Sequence, residues 1–270
     1  MNPFAREKVM AESLIEFHDA EIGRFRNGAG QIVNFSTSMT GCAPIPAFSH
    51  GDQRVACSYI RDAGHRIDPS NRQRMKLRLI RNLLRFAGTS QEPVFQAPGA
   101  TSEIRLNSNA LGRPGLCVDG HEGPSVSFSH TADVTWGALC RAGGTVGIDV
   151  ASGDEFPNNY PFHRAFHDEE FSKALKITDG NISEAAALLW TAKEAVVKCI
   201  GTAFHLIDPL ELHIVASARS SEKCHYTVCF DDKVFERLPG LHESSIGVLT
   251  LMKEGLGVSV AIMVKNGAAD

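Results

Sequence analysis

Two carboxylates and one lysine have the spacing to do chemistry together. Asp149 lies in Val146-Gly147-Ile148-Asp149-Val150, where apolar Val146, Ile148 and Val150 alternate with Gly147 and Asp149. That alternation has the period of a strand, and an aspartate in so apolar a strand is costly unless it sits at an exposed edge, is paired, or binds a metal. Trp190, Glu194 and Lys198 recur at i, i+4 and i+8, on one face of a helix. Taken alone, Glu194 and Lys198 make an ordinary surface pair worth about 0.3–0.5 kcal/mol, and Asp149 is as readily structural as functional. Brought together, Asp149 and Glu194 form a hard oxygen site suited to Mg²⁺, which takes one or two carboxylates and completes its shell with water and phosphate oxygens. Lys198, one turn from Glu194, adds a compact positive charge for the same phosphate.

The charge distribution supports an anionic ligand. Residues 61–85 carry eight Arg or Lys against two Asp, a local balance of +6 in a chain whose formal net charge is −4. Positive charge concentrated in one place on a mildly acidic protein points to a single anion site, not to general nucleic-acid affinity. Part of the excess forms a helical stripe, Arg74, Arg78, Arg81 and Arg85, whose default reading is a solvated face. Other chemistries fit less well. Ser129 beside His130 invites a hydrolase reading, but no G-x-S-x-G elbow exists. Gly143–Gly147 leads into a strand instead of following one, so it is not a dinucleotide fingerprint, and there is no P-loop. The seven cysteines show no C-x-x-C pairing, which argues against a disulfide framework or a zinc site and fits a reducing cytoplasm. No apolar run reaches the roughly 18 residues of a membrane span, and the opening MNPFAREKVMAESLIEF does not read as a signal peptide.

The elements that must position these groups follow from pattern. The segment 183–201 reads as a helix with Ser183 as N-cap, alanine and leucine in its middle, and Gly201 as the terminating glycine. A second helix is expected over 70–86, with Met75, Leu79, Leu83 and Phe86 as its apolar stripe, Asp68-Pro69-Ser70 as start signal and Gly88 as stop. Residues 1–30 look helical but irregular, 31–35 a short strand, 36–52 a loop, and 88–124 a turn-rich stretch without assigned elements. Strands are expected at 124–130, 133–140, 145–150, 211–217, 224–230, 245–252 and 257–264, the last two as a hairpin about Lys253–Leu256, with a helical zone over 162–200. Each half then offers a helix followed by strands, an α+β arrangement. The expected division is an unassigned extension over 1–30, one half over 31–140 and a second over 141–266.

Gly147-Ile148-Asp149, followed some 40 residues later by Trp190-Thr191-Ala192-Lys193-Glu194-Ala195-Val196-Val197-Lys198, resembles the signature of the 4′-phosphopantetheinyl transferase superfamily. Upstream, Gly112-Arg113-Pro114, Phe128-Ser129-His130-Thr131 with Trp136 after it, and Arg72 with Arg81 nine residues on are similar to marks of the larger, surfactin-synthetase-associated type. Gly201 and Phe204–Pro209 resemble the family's G-x-G-L-x-x-P-L turn, with Ala203 in place of the second glycine. The similarity covers roughly 70–265.

The resemblance implies two similar α+β halves related by pseudo-twofold symmetry, with coenzyme A in the cleft between them. It implies Mg²⁺, CoA as donor, a serine of an apo acyl or peptidyl carrier protein as acceptor, 3′,5′-ADP as co-product, and a cytoplasmic monomer with no nucleic-acid or membrane partner. By position, Asp149 and Glu194 would hold Mg²⁺ on the CoA pyrophosphate and Lys198 would neutralise it. His130 and Arg113 would contact the 3′-phosphate or nearby phosphates, Arg72 would clamp the nucleotide end, and Ser129 would donate from its side chain or backbone. Asp149, Glu194 and Lys198 form the catalytic set, with Glu194 or a metal-bound water as base. The carrier is expected beside 162–185. One departure stands out: the acid many members carry two places after the aspartate is Ala151 here, which leaves a non-catalytic CoA- or carrier-binding module as the alternative.

Overall fold

A computed structural model describes residues 45–50, 53–61, 69–89, 102–131, 134–140, 143–157, 159–220, 223–253 and 255–265. The expected elements of 1–35 lie outside these residues.

Two antiparallel sheets stack face to face, each with a helix on its outer side. The first has the order β1 (Ile45–His50), β2 (Gln53–Arg61), β7 (Val134–Cys140), β6 (Ser125–Thr131). The second runs β8 (Gly144–Ser152), β12 (Leu256–Lys265), β11 (Ser244–Lys253), β10 (Lys223–Phe230), β9 (Leu212–Ser220). Helix α1 (Pro69–Thr89) packs on β2 and β7, and α3 (Ile182–Ile200) on β8 and β12. A short helix α2 (Asp168–Ile177) precedes α3, and α4 (Asp232–Arg237) lies between β10 and β11. In both sheets the strand before the helix pairs with the last strand, which pairs in turn with the one before it.

Strand alternation builds three cores. Val55 and Cys57 of β2 meet Val146, Ile148 and Val150 of β8 in the layer between the sheets, where Trp136 is fully enclosed. Ala56 and Ile60, one residue out of phase, turn to the α1 side with Met75, Leu79 and Leu83. Ala151, on the opposite face of β8, joins the alanine-rich buried face of α3. Arg74, Arg78, Arg81 and Arg85 are exposed, as the stripe predicted.

The sheets are also joined by hydrogen bonds. The hydroxyls of Ser125, Ser127 and Ser129, on every second residue of β6, accept from the backbone N–H groups of Val146 (3.2 Å), Ile148 (3.1 Å) and Val150 (3.2 Å). Both β6 and β8 are edge strands, and an edge N–H buried without an acceptor is costly. Serine at period two supplies those acceptors.

Some expectations need correction. The end of the expected 36–52 loop is strand β1: Ile45–His50 is a hairpin partner of β2, although it carries Pro46 and Ser49 and is followed in sequence by Gly51-Asp52. The 88–124 stretch contains a small sheet of β3 (Ile104–Ser108), β4 (Pro114–Val118) and β5 (His121–Glu122), strands too short for the alternation of Ile104 and Leu106 with Arg105 and Asn107 to stand out among the surrounding turn formers. The N-cap of α3 is Asn181, whose side chain accepts from Glu184 N at 3.2 Å, while the Ser183 hydroxyl donates to Phe156 O at 3.0 Å. Helix α1 runs past Gly88 to Thr89.

Candidate active site

The site forms where α3 lies across β8, and its geometry depends on a missing side chain. A Cβ on Gly147 would stand 1.9 Å from Ala195 O and 2.6 Å from Cys199 N. Only glycine lets the helix backbone approach this closely. Gly147, Asp149 and Ala151 therefore face α3, with Asp149 opposite Glu194 and Lys198.

Asp149 is buried, and its Oδ1 accepts from Lys198 Nζ at 2.5 Å and from Ser129 Oγ at 2.9 Å. Lys198 Nζ also stands 3.9 Å from Glu194 Oε2. Both carboxylates thus converge on one ammonium. Burial raises the proton affinity of Asp149 against the opposing pull of Lys198 and the Ser129 hydrogen bond. Burial also raises that of Glu194, with Asp149 adding repulsion and Lys198 opposing. Two carboxylates share one ammonium, which leaves net negative charge in a poorly solvated place. That donor set, hard and oxygen-only, fits Mg²⁺ with phosphate and water completing the shell. No group of three or more His, Cys, Asp or Glu that could hold a metal occurs among the described residues. The Ala151 methyl, two residues on from Asp149, is packed into the α3 core.

On the other side of Lys198 the charge reverses. A cleft of about 220 Å³ is lined by Lys76, Phe128, His130, Arg113, Lys198 and Gly201, among others. Asn109 Oδ1 accepts from Leu111 N and Arg113 N and so shapes the turn that presents Arg113. Gly201, at φ 93°, ends α3, and a Cβ there would stand 2.7 Å from an Arg113 guanidinium nitrogen. The guanidinium therefore lies over the negative end of the helix dipole. Arg113 also lines a neighbouring hollow of about 810 Å³. His130 Nδ1 is 3.0 Å from Thr135 Oγ1, and its Nε2 is buried with no hydrogen-bond partner among the described residues. Burial, with Lys76, Arg72 and Lys198 around it, pushes the His130 pKa down to about 4. Arg72 is exposed and adds its field from outside the cleft lining.

The structure thus brings Asp149, Glu194, Lys198, Ser129, His130 and Arg113 into one region, with Arg72 near enough to act on His130. Ser129 is fully engaged: its hydroxyl donates to Asp149 and accepts from Val150 N. Sequence reasoning missed Lys76, which follows Arg72 by one helical turn on α1; that i, i+4 spacing was the available signal. Lys193 lies off the Trp190–Glu194–Lys198 line and is fully buried, with Nζ 2.5 Å from Glu170 Oε1, 2.7 Å from Pro209 O and 3.0 Å from Ala165 O. Glu170 in turn accepts from His167 N and Ile214 N. This pair ties α2, the 162–167 turn and β9 to α3.

Residues 145–241 match the 4′-phosphopantetheinyl transferase superfamily. The matched segment begins in β8 and includes Asp149, Glu194 and Lys198. Comparison with curated proteins gives no match. Among solved structures, the chain is similar to a Chronobacterium ammoniagenes ACPS–CoA complex, at 17% identity over 46% of this chain and 98% of that one, TM-score 0.38. It is also similar to the acyl carrier protein synthase of Mycobacterium tuberculosis, at 22% identity over 45% of this chain and 96% of that one, TM-score 0.32. A Bacillus anthracis holo-(acyl-carrier-protein) synthase in complex with CoA (3′,5′-ADP) gives 15% identity over 46% and 96%, TM-score 0.35. Among the described residues no helix is long and apolar enough to cross a membrane.

Proposed function

We propose that this protein is a 4′-phosphopantetheinyl transferase of the larger type, moving the phosphopantetheine arm of CoA to a serine of an apo acyl or peptidyl carrier protein and releasing 3′,5′-ADP. The observation that carries the reading is the convergence of Asp149 and Glu194 on Lys198 beside an acid-free cationic cleft. A diphosphate that must meet a divalent cation on one side and fixed positive charge on the other fits that polarity. The connectivity common to both sheets supports the reading of two related halves, placed at 31–140 and 141–266.

In the proposed reaction the serine oxygen bonds to the β-phosphorus of CoA. The bond from that phosphorus to the bridging oxygen breaks, and 3′,5′-ADP leaves with the oxygen. Glu194 suits the role of base because burial and Asp149 raise its proton affinity above that of a solvated carboxylate. Lys198 balances charge on the phosphoryl oxygens, and the Arg113 and His130 side holds the nucleotide phosphates. Mg²⁺, held by Asp149 and Glu194, would supply Lewis-acid stabilisation of the pyrophosphate. Ser129 is a positioning residue that orients Asp149 and ties β6 to β8.

The test is transfer from CoA to an apo-carrier, followed by mass spectrometry. Wild type should add one phosphopantetheine, and Glu194→Gln should abolish transfer while keeping its thermal unfolding profile. Wild-type turnover in that variant removes Glu194 from the mechanism. The buried Ala151 favours the second reading, a non-catalytic CoA- or carrier-binding module; CoA binding with no mass gain on any apo-carrier would establish it.

A further inference from the structure

A string of hydroxyls lies buried between α3 and its sheet. Thr191 of α3, Ser259 of β12 and Thr250 of β11 are each fully enclosed. Ser259 Oγ stands 2.7 Å from Thr191 Oγ1 and 2.6 Å from Thr250 Oγ1. Thr191 Oγ1 also lies 2.9 Å from Ala187 O and 3.2 Å from Leu188 O, which can only accept. Each hydroxyl has one proton to give. Among these contacts one direction alone uses all three protons: Thr250 donates to Ser259, Ser259 to Thr191, and Thr191 to the carbonyls of its own helix. The string bears on the site through its neighbours. Ser259 is the register partner of Asp149 on the adjacent strand, so both side chains leave the sheet toward α3. Thr191 precedes Glu194 by less than one helical turn. Their hydrogen bond therefore joins the neighbour of one carboxylate to the turn of helix that carries the other. Two residues from Ser259, a Cβ on Gly257 would stand 3.2 Å from Ala187 O and 3.3 Å from Thr191 Oγ1, so α3 lies close on β12 here as it does on β8 at Gly147. In sequence, Glu194 falls between these two contacts. Packing alone does not call for hydroxyls, since apolar groups of similar shape fill such a space with nothing polar to satisfy. Hydroxyls add direction, because a hydrogen bond weakens steeply as its geometry departs from ideal.

We propose that Thr191 and Ser259 are positioning residues for the carboxylate pair: their hydrogen bond fixes how α3 is rotated over β8 and β12, and so sets the separation at which Glu194 and Asp149 meet one divalent cation. This rests on the metal-dependent transferase reading above and adds to it Ser259, a residue outside the matched segment 145–241. Neither hydroxyl touches substrate; both act through Glu194.

The test compares wild type, Thr191→Val, Thr191→Ser and the triple variant Thr191→Val/Ser259→Ala/Thr250→Val, all as the full-length chain. Three quantities are read: Tm, the affinity for Mn²⁺ from the electron paramagnetic resonance of the free ion, and kcat and KM for CoA in carrier loading. Thr191→Val should lower kcat and Mn²⁺ affinity by about tenfold, the scale of a displacement of a fraction of an ångström, with KM for CoA within about twofold of wild type. Thr191→Ser keeps the hydroxyl and should recover most of both losses. The triple variant leaves no hydroxyl of the string unpaired, so its Tm should return toward that of wild type while kcat and Mn²⁺ affinity stay low. A folded triple variant with wild-type kcat and Mn²⁺ affinity, or a loss confined to KM for CoA, overturns the positioning role and leaves the transferase reading standing. If wild type loads no carrier, the transferase reading falls, and the Mn²⁺ affinities decide the positioning role by themselves: a loss in Thr191→Val restored in Thr191→Ser supports it, and equal affinities overturn it.

Discussion

Replacing Gly147 by alanine tests whether the contact of α3 with β8 sets the site. The added methyl would be born 1.9 Å from Ala195 O, 2.6 Å from Cys199 N and 2.9 Å from Ala195 C. These are backbone atoms of a helix interior, so no side chain can swing away. Restoring a contact of about 3.5 Å requires the helix and strand to separate by more than about 1 Å. Overpacking a well-packed core costs typically about 1–3 kcal/mol, and a rigid neighbour puts this case at the upper end, about 3 kcal/mol. For a protein of this size that lowers the midpoint by roughly 6–12 °C. The displacement also moves Glu194 and Lys198 from Asp149, whose bond to Lys198 is only 2.5 Å long. A misplacement of about 1 Å can cost about a hundredfold in rate. The assays are thermal unfolding by circular dichroism and carrier loading well below the midpoint. Gly240→Ala is the control, because a Cβ there meets nothing within 4 Å. A Gly147→Ala protein that unfolds and turns over like the control would refute the reasoning.

Other outcomes follow from single contacts. Ser127→Ala removes the acceptor of Ile148 N and should cost about 1–3 kcal/mol, read as a lowered denaturant midpoint with an unchanged slope. Lys193→Met leaves Glu170 buried without its ammonium and should cost about 3–5 kcal/mol at neutral pH; adding Glu170→Gln should recover part of the loss. His130 binds its proton more weakly folded than unfolded, so the unfolded state takes up more protons between pH 6.5 and about 4. Its contribution should therefore be intact above that window and fall as the pH drops through it. The pH profile of Tm for His130→Gln, compared with wild type, should lack this component.

Periodicity alone settled a good deal. The alternation in 146–150, the Trp190–Glu194–Lys198 spacing, the terminating glycine at 201 and the apolar stripe of α1 are local patterns, and local patterns follow from backbone geometry. They placed most strands within a residue or two and singled out both carboxylates. Residues without a local signal escaped. The strands β3 to β5 are too short for a period to stand out, and turn formers before, within and after Ile45–His50 masked the hairpin.

What sequence could not decide was where side chains point once the layers stack. That Ser129 serves Asp149, that Lys193 is buried with Glu170, and that Lys76 lines a cleft with His130 all depend on partners 20 to 54 positions away, on different elements. Such contacts are set by how α1, β6, β8 and α3 pack, and packing is a property of the assembled layers. Glu194 and Lys198 could have been a solvated pair on any helix; the close approach over Gly147 is what sets them against Asp149 and makes the three a site.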